Sequence, residues 1–299
     1  MKLSIPPTTR SRNLSASAQS TSALTGTESS APVAPPPAQE PTPIPVAAAP
    51  HSAAAARASE PAHLTPPLPP AAGQVIGQVL PIYFVGDESH SMSGDPITAV
   101  NQGLVDLRDE VAKHPLIGKK VRFGIITFAD SAETRLELSE LTEDLLLPTL
   151  STRGRGTSYA SALEALRHTI PADIALLKVN GFQVHRPAVF FLSDGQPTER
   201  EGKWTKRLAE LKDPAFRERP NILAFGVGDA DPSVIQQLAS SPHHAFMMRE
   251  GVSTAGAIAE FAASMLNSMV SSAERLERGE QMLEFEKPES FVQLDAPLV

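Results

Sequence analysis

The 299-residue sequence contains no cysteine, one tryptophan and two tyrosines, and residues 1–74 hold no aromatic residue at all. Without cysteine there is no disulfide framework, no thiolate zinc site and no cysteine nucleophile. No apolar run approaches the roughly 18–20 residues needed to cross a bilayer. The opening Met1-Lys2-Leu3-Ser4-Ile5-Pro6-Pro7 lacks the apolar stretch of a secretory signal, so a cytoplasmic protein without a membrane segment is expected. Positive charge is also in deficit, with 26 Lys and Arg against 34 Asp and Glu. Residues 1–74 carry four basic and three acidic residues, which leaves 22 − 31 = −9 for the remainder. Such a balance argues against a nucleic-acid phosphate backbone as partner.

What is present divides the chain by composition. Residues 1–74 contain 15 of the 28 prolines and are otherwise rich in Ala, Ser and Thr. They have too little apolar surface to offset chain entropy, and a disordered tail is expected there. Pro35-Pro36-Pro37, Pro41-Thr42-Pro43 and Pro66-Pro67-Leu68-Pro69 favour polyproline II, as in a spacer or a weak docking strand. Ser and Thr between residues 8 and 30 offer phosphorylation sites. Residues 75–272 suit one domain with a proper core. Residues 273–299 form an acidic C-terminal segment containing Phe285, Phe291 and Leu294. It reads either as a frayed helix and tail or as a peptide that docks on a partner or on its own domain.

Within 75–272, short apolar strands alternate with amphipathic helices. Strands are expected at 78–86, 120–130, 133–138, 188–192 and 221–227. Helices are expected at 96–113 (N-capped by Asp95), 158–169, 204–212, after Asp231-Pro232, and at 256–272. The alternation predicts an α/β fold with a doubly wound, mostly parallel sheet and helices on both faces. Ligands of such folds bind beyond the carboxyl ends of the strands, at a switch in strand order.

Three oxygen-rich loops fall at such positions. Asp87-Glu88-Ser89-His90-Ser91 follows the apolar run Val79–Val85, Gly156-Thr157-Ser158 precedes a helix, and Ser193-Asp194-Gly195 follows Ala188–Leu192. Hydroxyls and carboxylates without His or Cys suit a hard divalent cation, Mg²⁺ or Mn²⁺. The same residues also fit plain helix caps and Asx-turns. His243-His244 has no companion ligands in sequence and reads as exposed loop, and His185-Arg186 as the solvated start of a strand. Gly226-Val227-Gly228 lacks the third glycine of a dinucleotide loop and reads as a turn.

Asp87, Ser89, Ser91, Thr157 and Asp194, in that order, resemble the metal-ion-dependent adhesion site of von Willebrand factor type A domains. The resemblance covers roughly residues 78–272. Residues 186–198, with Ser91–Ile97 and Asn221–Gly228, are similar to the bacterial TerY-like branch, named for tellurium resistance. This resemblance implies that Ser89 and Ser91 bind Mg²⁺ directly and that Asp87 and Asp194 act through waters and the serines. It further implies that Thr157 joins when a ligand is engaged, and that an open position takes an Asp or Glu carboxylate of a protein partner. A non-enzymatic binding module follows, with a Ser/Thr kinase and a PP2C-like phosphatase as the partners that TerY-like systems imply. His90 stands where the family usually has Gly and reads as a solvated loop residue. Met92 reads as a packing residue beneath the loop, and Glu88 as pointing to solvent.

Two other functions compete. A Mg²⁺ phosphotransferase of the haloacid-dehalogenase type also places Asp after a first and a later strand, but it needs a second acid where this chain has Ser89. Adaptors of AAA+ ATPases also carry von Willebrand A domains, and no residue here speaks against that role.

Overall fold

The computed structural model describes residues 75–280, 283 and 285–294, so the tail expected over 1–74 lies outside the described residues. The first strand, β1 (Gly77–Asp87), is buried from Val79 onward and forms the middle of the sheet. A single 3₁₀ turn (His90–Met92) leads to α1 (Asp95–Ala112) and α2 (Pro115–Lys120). The hairpin β2 (Val121–Phe128) and β3 (Ala132–Ser139) follows, then α3 (Tyr159–Val179), the short β4 (Phe182–Val184) and the fully buried β5 (Ala188–Ser193). The chain continues through α4 (Glu201–Lys212), β6 (Asn221–Gly226), α5 (Pro232–Leu238), β7 (Ala245–Met248), α6 (Thr254–Glu277) and β8 (Phe291–Gln293).

The sheet order is β3-β2-β1-β5-β6-β7-β8, with β4 pairing the start of β1. All pairings are parallel except the two edges, β2 with β3 and β7 with β8. The chain thus winds outward from β1 to β2 on one side and from β5 to β6 on the other. The order reverses between β1 and β5, the kind of switch point at whose carboxyl ends ligands of such folds bind. The expected doubly wound α/β architecture is the observed one.

Alternation along each strand feeds two cores. Ile82, Phe84, Phe190 and Phe225 face α1, α2 and α6, whereas Tyr83, Val85, Val189 and Phe191 face α3, α4 and α5. Residues buried on both faces explain why β5 and β6 read as continuous apolar runs.

Several boundaries differ from expectation. Gly94, at φ 85°, caps α1, and Asp95 is its first helical residue and not its N-cap. The Thr98 N–H and hydroxyl both donate to the Gly94 carbonyl, at 3.2 and 2.9 Å. Helix α3 runs ten residues past Thr169, straight through Pro171. Proline inside a helix costs about 3 kcal/mol locally, but stopping there would expose Ile174, which is buried in the α3-side core, and the buried Leu177. Helix α6 extends beyond Ser272 to Glu277. Of the readings open for the C-terminal segment, docking on its own domain is what the described residues show. β8 adds to the sheet edge, and the Phe285 ring lies 5.1–6.0 Å from those of Phe246, Phe225 and Phe190.

Candidate metal centre

The centre sits at the carboxyl ends of β1 and β5. Parallel pairing places Gly86 opposite Leu192, so Asp87 and Ser193 leave the sheet side by side. The Asp87 carboxylate accepts from the Ser89 N–H (2.8 Å) and the Ser193 hydroxyl (2.6 Å), one on each oxygen. Ser89 is held with its hydroxyl 2.9 Å from that of Ser91, and Ser91 donates to Asp194 at 2.8 Å. Four of the five expected residues, Asp87, Ser89, Ser91 and Asp194, therefore form one continuous polar chain.

Thr157 is buried beside them. Its N–H donates to the Thr198 hydroxyl and its carbonyl accepts from the Thr198 N–H, both at 3.1 Å. A methyl group on Gly195 would lie 3.6 Å from the Thr157 hydroxyl, which brings that hydroxyl alongside the Asp194 loop. Thr157 makes no described hydrogen bond to the four-residue chain.

Other residues, to which the sequence reading gave no part in the site, hold these loops. The Asp130 carboxylate accepts from the N–H groups of Gly156 (2.8 Å) and Arg155 (3.2 Å). The buried Tyr159 hydroxyl donates to the Gly195 carbonyl at 3.0 Å. Gly228, at φ 57°, backs Asp194, and the next N–H, of Asp229, donates to the Asp194 carbonyl at 3.1 Å. Tyr159 could be found only through its place in the fold, and Gly228, read in sequence as part of a turn, gave no sign there of its contact with Asp194.

Glu88 requires a correction. Alternation turns it away from Asp87 and Ser89, and it points inward, not to solvent: it is completely buried. Its carboxylate takes the Arg153 Nε–H at 2.7 Å and the Ser151 N–H at 3.3 Å. A buried carboxylate without such partners costs several kcal/mol. Met92 is buried in the α1-side core, as expected of a packing residue. His90 is exposed and lies in the right-handed 3₁₀ turn, where a side chain meets no backbone strain. The family's glycine is thus not required at that position.

Electrostatics show what the centre lacks. Burial, reinforced by the neighbouring Asp87 charge, pushes the Asp194 carboxyl up to about 6, and burial likewise raises Asp87. Among the described residues neither carboxylate has an ion-pair partner. Two buried carboxylates beside two hydroxyls, with no protein cation, fit a hard cation: its charge would reverse the desolvation penalty and its coordination would use the hydroxyl oxygens. Among the described residues no group of three His, Cys, Asp or Glu could hold a metal. That is consistent with a donor set built on hydroxyls. His243 pairs with Gln293 at 3.1 Å, and His244 is half-buried with no acidic companion among the described residues.

The family model described as von Willebrand factor type A domain matches residues 82–260, more than half of the chain. The chain belongs to the von Willebrand factor type A family. No curated protein sequence matches it significantly. Solved structures with a similar fold include proximal thread matrix protein 1 from the mussel byssus. One form of it is 15% identical (TM-score 0.46), covering 66% of this chain and 49% of that one. A form described as having a zinc-occupied MIDAS motif is 20% identical (TM-score 0.45), covering 66% and 46%. The pilus adhesin SpaC of Lactobacillus rhamnosus GG is 16% identical (TM-score 0.48), covering 69% of this chain and 31% of that one. This chain thus spans about half or less of those proteins' lengths.

Proposed function

We propose that this chain is a non-enzymatic, metal-dependent protein-binding module. Ser89 and Ser91 would hold Mg²⁺ or Mn²⁺ directly, Thr157 would join them, and Asp87 and Asp194 would orient the serines and supply the balancing charge. When bound, the cation offers an open position that accepts an Asp or Glu carboxylate of a protein partner. The observation that carries this reading is the hydrogen-bonded run from Ser89 through Ser91 to Asp194, beside two carboxylates without an ion-pair partner among the described residues.

A binding role is favoured over phosphotransfer by the state of Asp87. Both of its oxygens are occupied by hydrogen bonds from Ser89 and Ser193, which suits a positioning carboxylate better than an attacking one. The likeness of residues 186–198 and 221–228 to TerY-like proteins supports a narrower version. In it the module is a cytoplasmic scaffold in stress or phosphorylation signalling, with a Ser/Thr kinase and a PP2C-like phosphatase as partners.

The test is capture of partner proteins by immobilised full chain in Mg²⁺, in EDTA, and with Asp87→Ala in Mg²⁺. Partners retained only by the wild-type chain in Mg²⁺ support the module. Capture that ignores both EDTA and the substitution would refute it. A captured set without kinase or phosphatase would remove the narrower version alone.

A further inference from the structure

We propose that Glu88 and Arg153 are a positioning pair that fixes the Ser89–Ser91 loop against the Thr157 loop and so sets the affinity of the centre for its cation. The inference rests on the metal-binding reading above and concerns residues outside its donor set.

The two loops meet through these residues. The Arg153 N–H donates to the Glu88 carbonyl at 2.7 Å, and the Arg153 Nε–H donates to the Glu88 carboxylate at the same distance. Backbone and side chain thus grip one residue twice. The Ser151 N–H adds a third bond to that carboxylate at 3.3 Å. On its far side the Arg153 guanidinium is anchored to the sheet, by Glu133 of β3 at 2.8 Å and by the Thr127 hydroxyl of β2 at 3.3 Å. The Glu88 N–H donates to the Phe128 carbonyl at 2.8 Å, so the grip is referred to the rigid end of β2.

Position in the chain makes this consequential. Glu88 lies between Asp87 and Ser89, so any rotation that frees its side chain also turns those two residues. Arg153 lies four residues before Thr157. A single small cation needs hydroxyls from both loops within one coordination shell, and groups that orient metal ligands typically change affinity 10–100-fold when removed. A planar guanidinium holding a carboxylate by a short bond resists shear better than a flexible ammonium would.

The experiment is calorimetric Mn²⁺ titration of the full chain, Glu88→Gln, Arg153→Lys and the double variant, with Asp194→Ala as control. Metal-free near-ultraviolet circular dichroism and thermal unfolding report folding separately. Glu88→Gln is the milder change, since its amide oxygen still accepts hydrogen bonds and Arg153 keeps Glu133. Each single variant should bind Mn²⁺ roughly 10–100-fold more weakly while folded, and the double variant no more weakly than the worse single one. Folded single variants with wild-type affinity, whatever their melting temperatures, would reduce the pair to a structural brace and overturn the proposal. Losses that multiply in the double variant would do the same. A wild-type chain indifferent to Mn²⁺ would instead overturn the metal reading, and the positioning role with it.

Discussion

Ser91 donates a 2.8 Å hydrogen bond to Asp194, a residue 103 positions away, and this one contact joins the loop after β1 to the loop after β5. It exists because the strands leading into it are neighbours in the sheet. It places a hydroxyl and a carboxylate at one point where a cation can use both.

Cation binding should therefore be visible as stability. At a Mn²⁺ concentration one hundred times its dissociation constant, the native state gains about 2.7 kcal/mol. We expect this gain in thermal unfolding of the full chain, and its loss in Asp194→Ala and Ser89→Ala. Equal stabilisation of all three proteins would place the metal elsewhere.

The pH dependence follows from the raised carboxyl of Asp194, about 6 against an ordinary 3.8. Because the folded value lies above the unfolded one, the metal-free native state holds this proton more tightly. That contribution to stability is present below about 3.8 and fades as pH rises through 6. The cation competes with the proton, so Mn²⁺ affinity should fall roughly tenfold per pH unit below about 6 and level off above it. Titrations between pH 5 and 8 check this. An affinity flat across that range would contradict it.

Phe291 is fully buried, with its ring 5.4 Å from that of Phe225 and perpendicular to it. Phe291→Ala should cost about 3–5 kcal/mol in urea unfolding, as for other buried aromatic truncations. A cost below about 1 kcal/mol would show that β8 and its flanks do not belong to the cooperative core.

Gly103 lets α1 and α6 touch. A methyl group added there would lie 2.6 Å from the Ala262 methyl, closer than packed carbons approach. Gly103→Ala should lower stability by about 1–3 kcal/mol through overpacking, despite alanine's better helix propensity. A stabilised variant would mean that the helices separate freely.

The grouping of these loops was largely legible in sequence because their short polar residues stand at strand ends and a helix start. Asp87, Ser89, Ser91 and Asp194 come together as expected, and Thr157 lies alongside. Glu88 was not legible: whether an acidic residue in such a loop faces water or a partner depends on Arg153, 65 residues away. The short elements were equally hidden. β4, β7 and β8 span only three or four residues each, too few for a periodic signal, and they exist because a neighbouring edge offers its hydrogen bonds.

By itself, then, the sequence determined the alternation of strands and helices, the polar loops at strand ends and the oxygen-only chemistry of the candidate site. Those properties are local, carried by residue type and spacing. Tertiary structure decided the strand order that sets β1 beside β5, the passage of α3 through Pro171, the return of Phe285 and Phe291 to the core, and the inward turn of Glu88. Each of these depends on a partner distant in sequence, whose burial or charge outweighs the local preference.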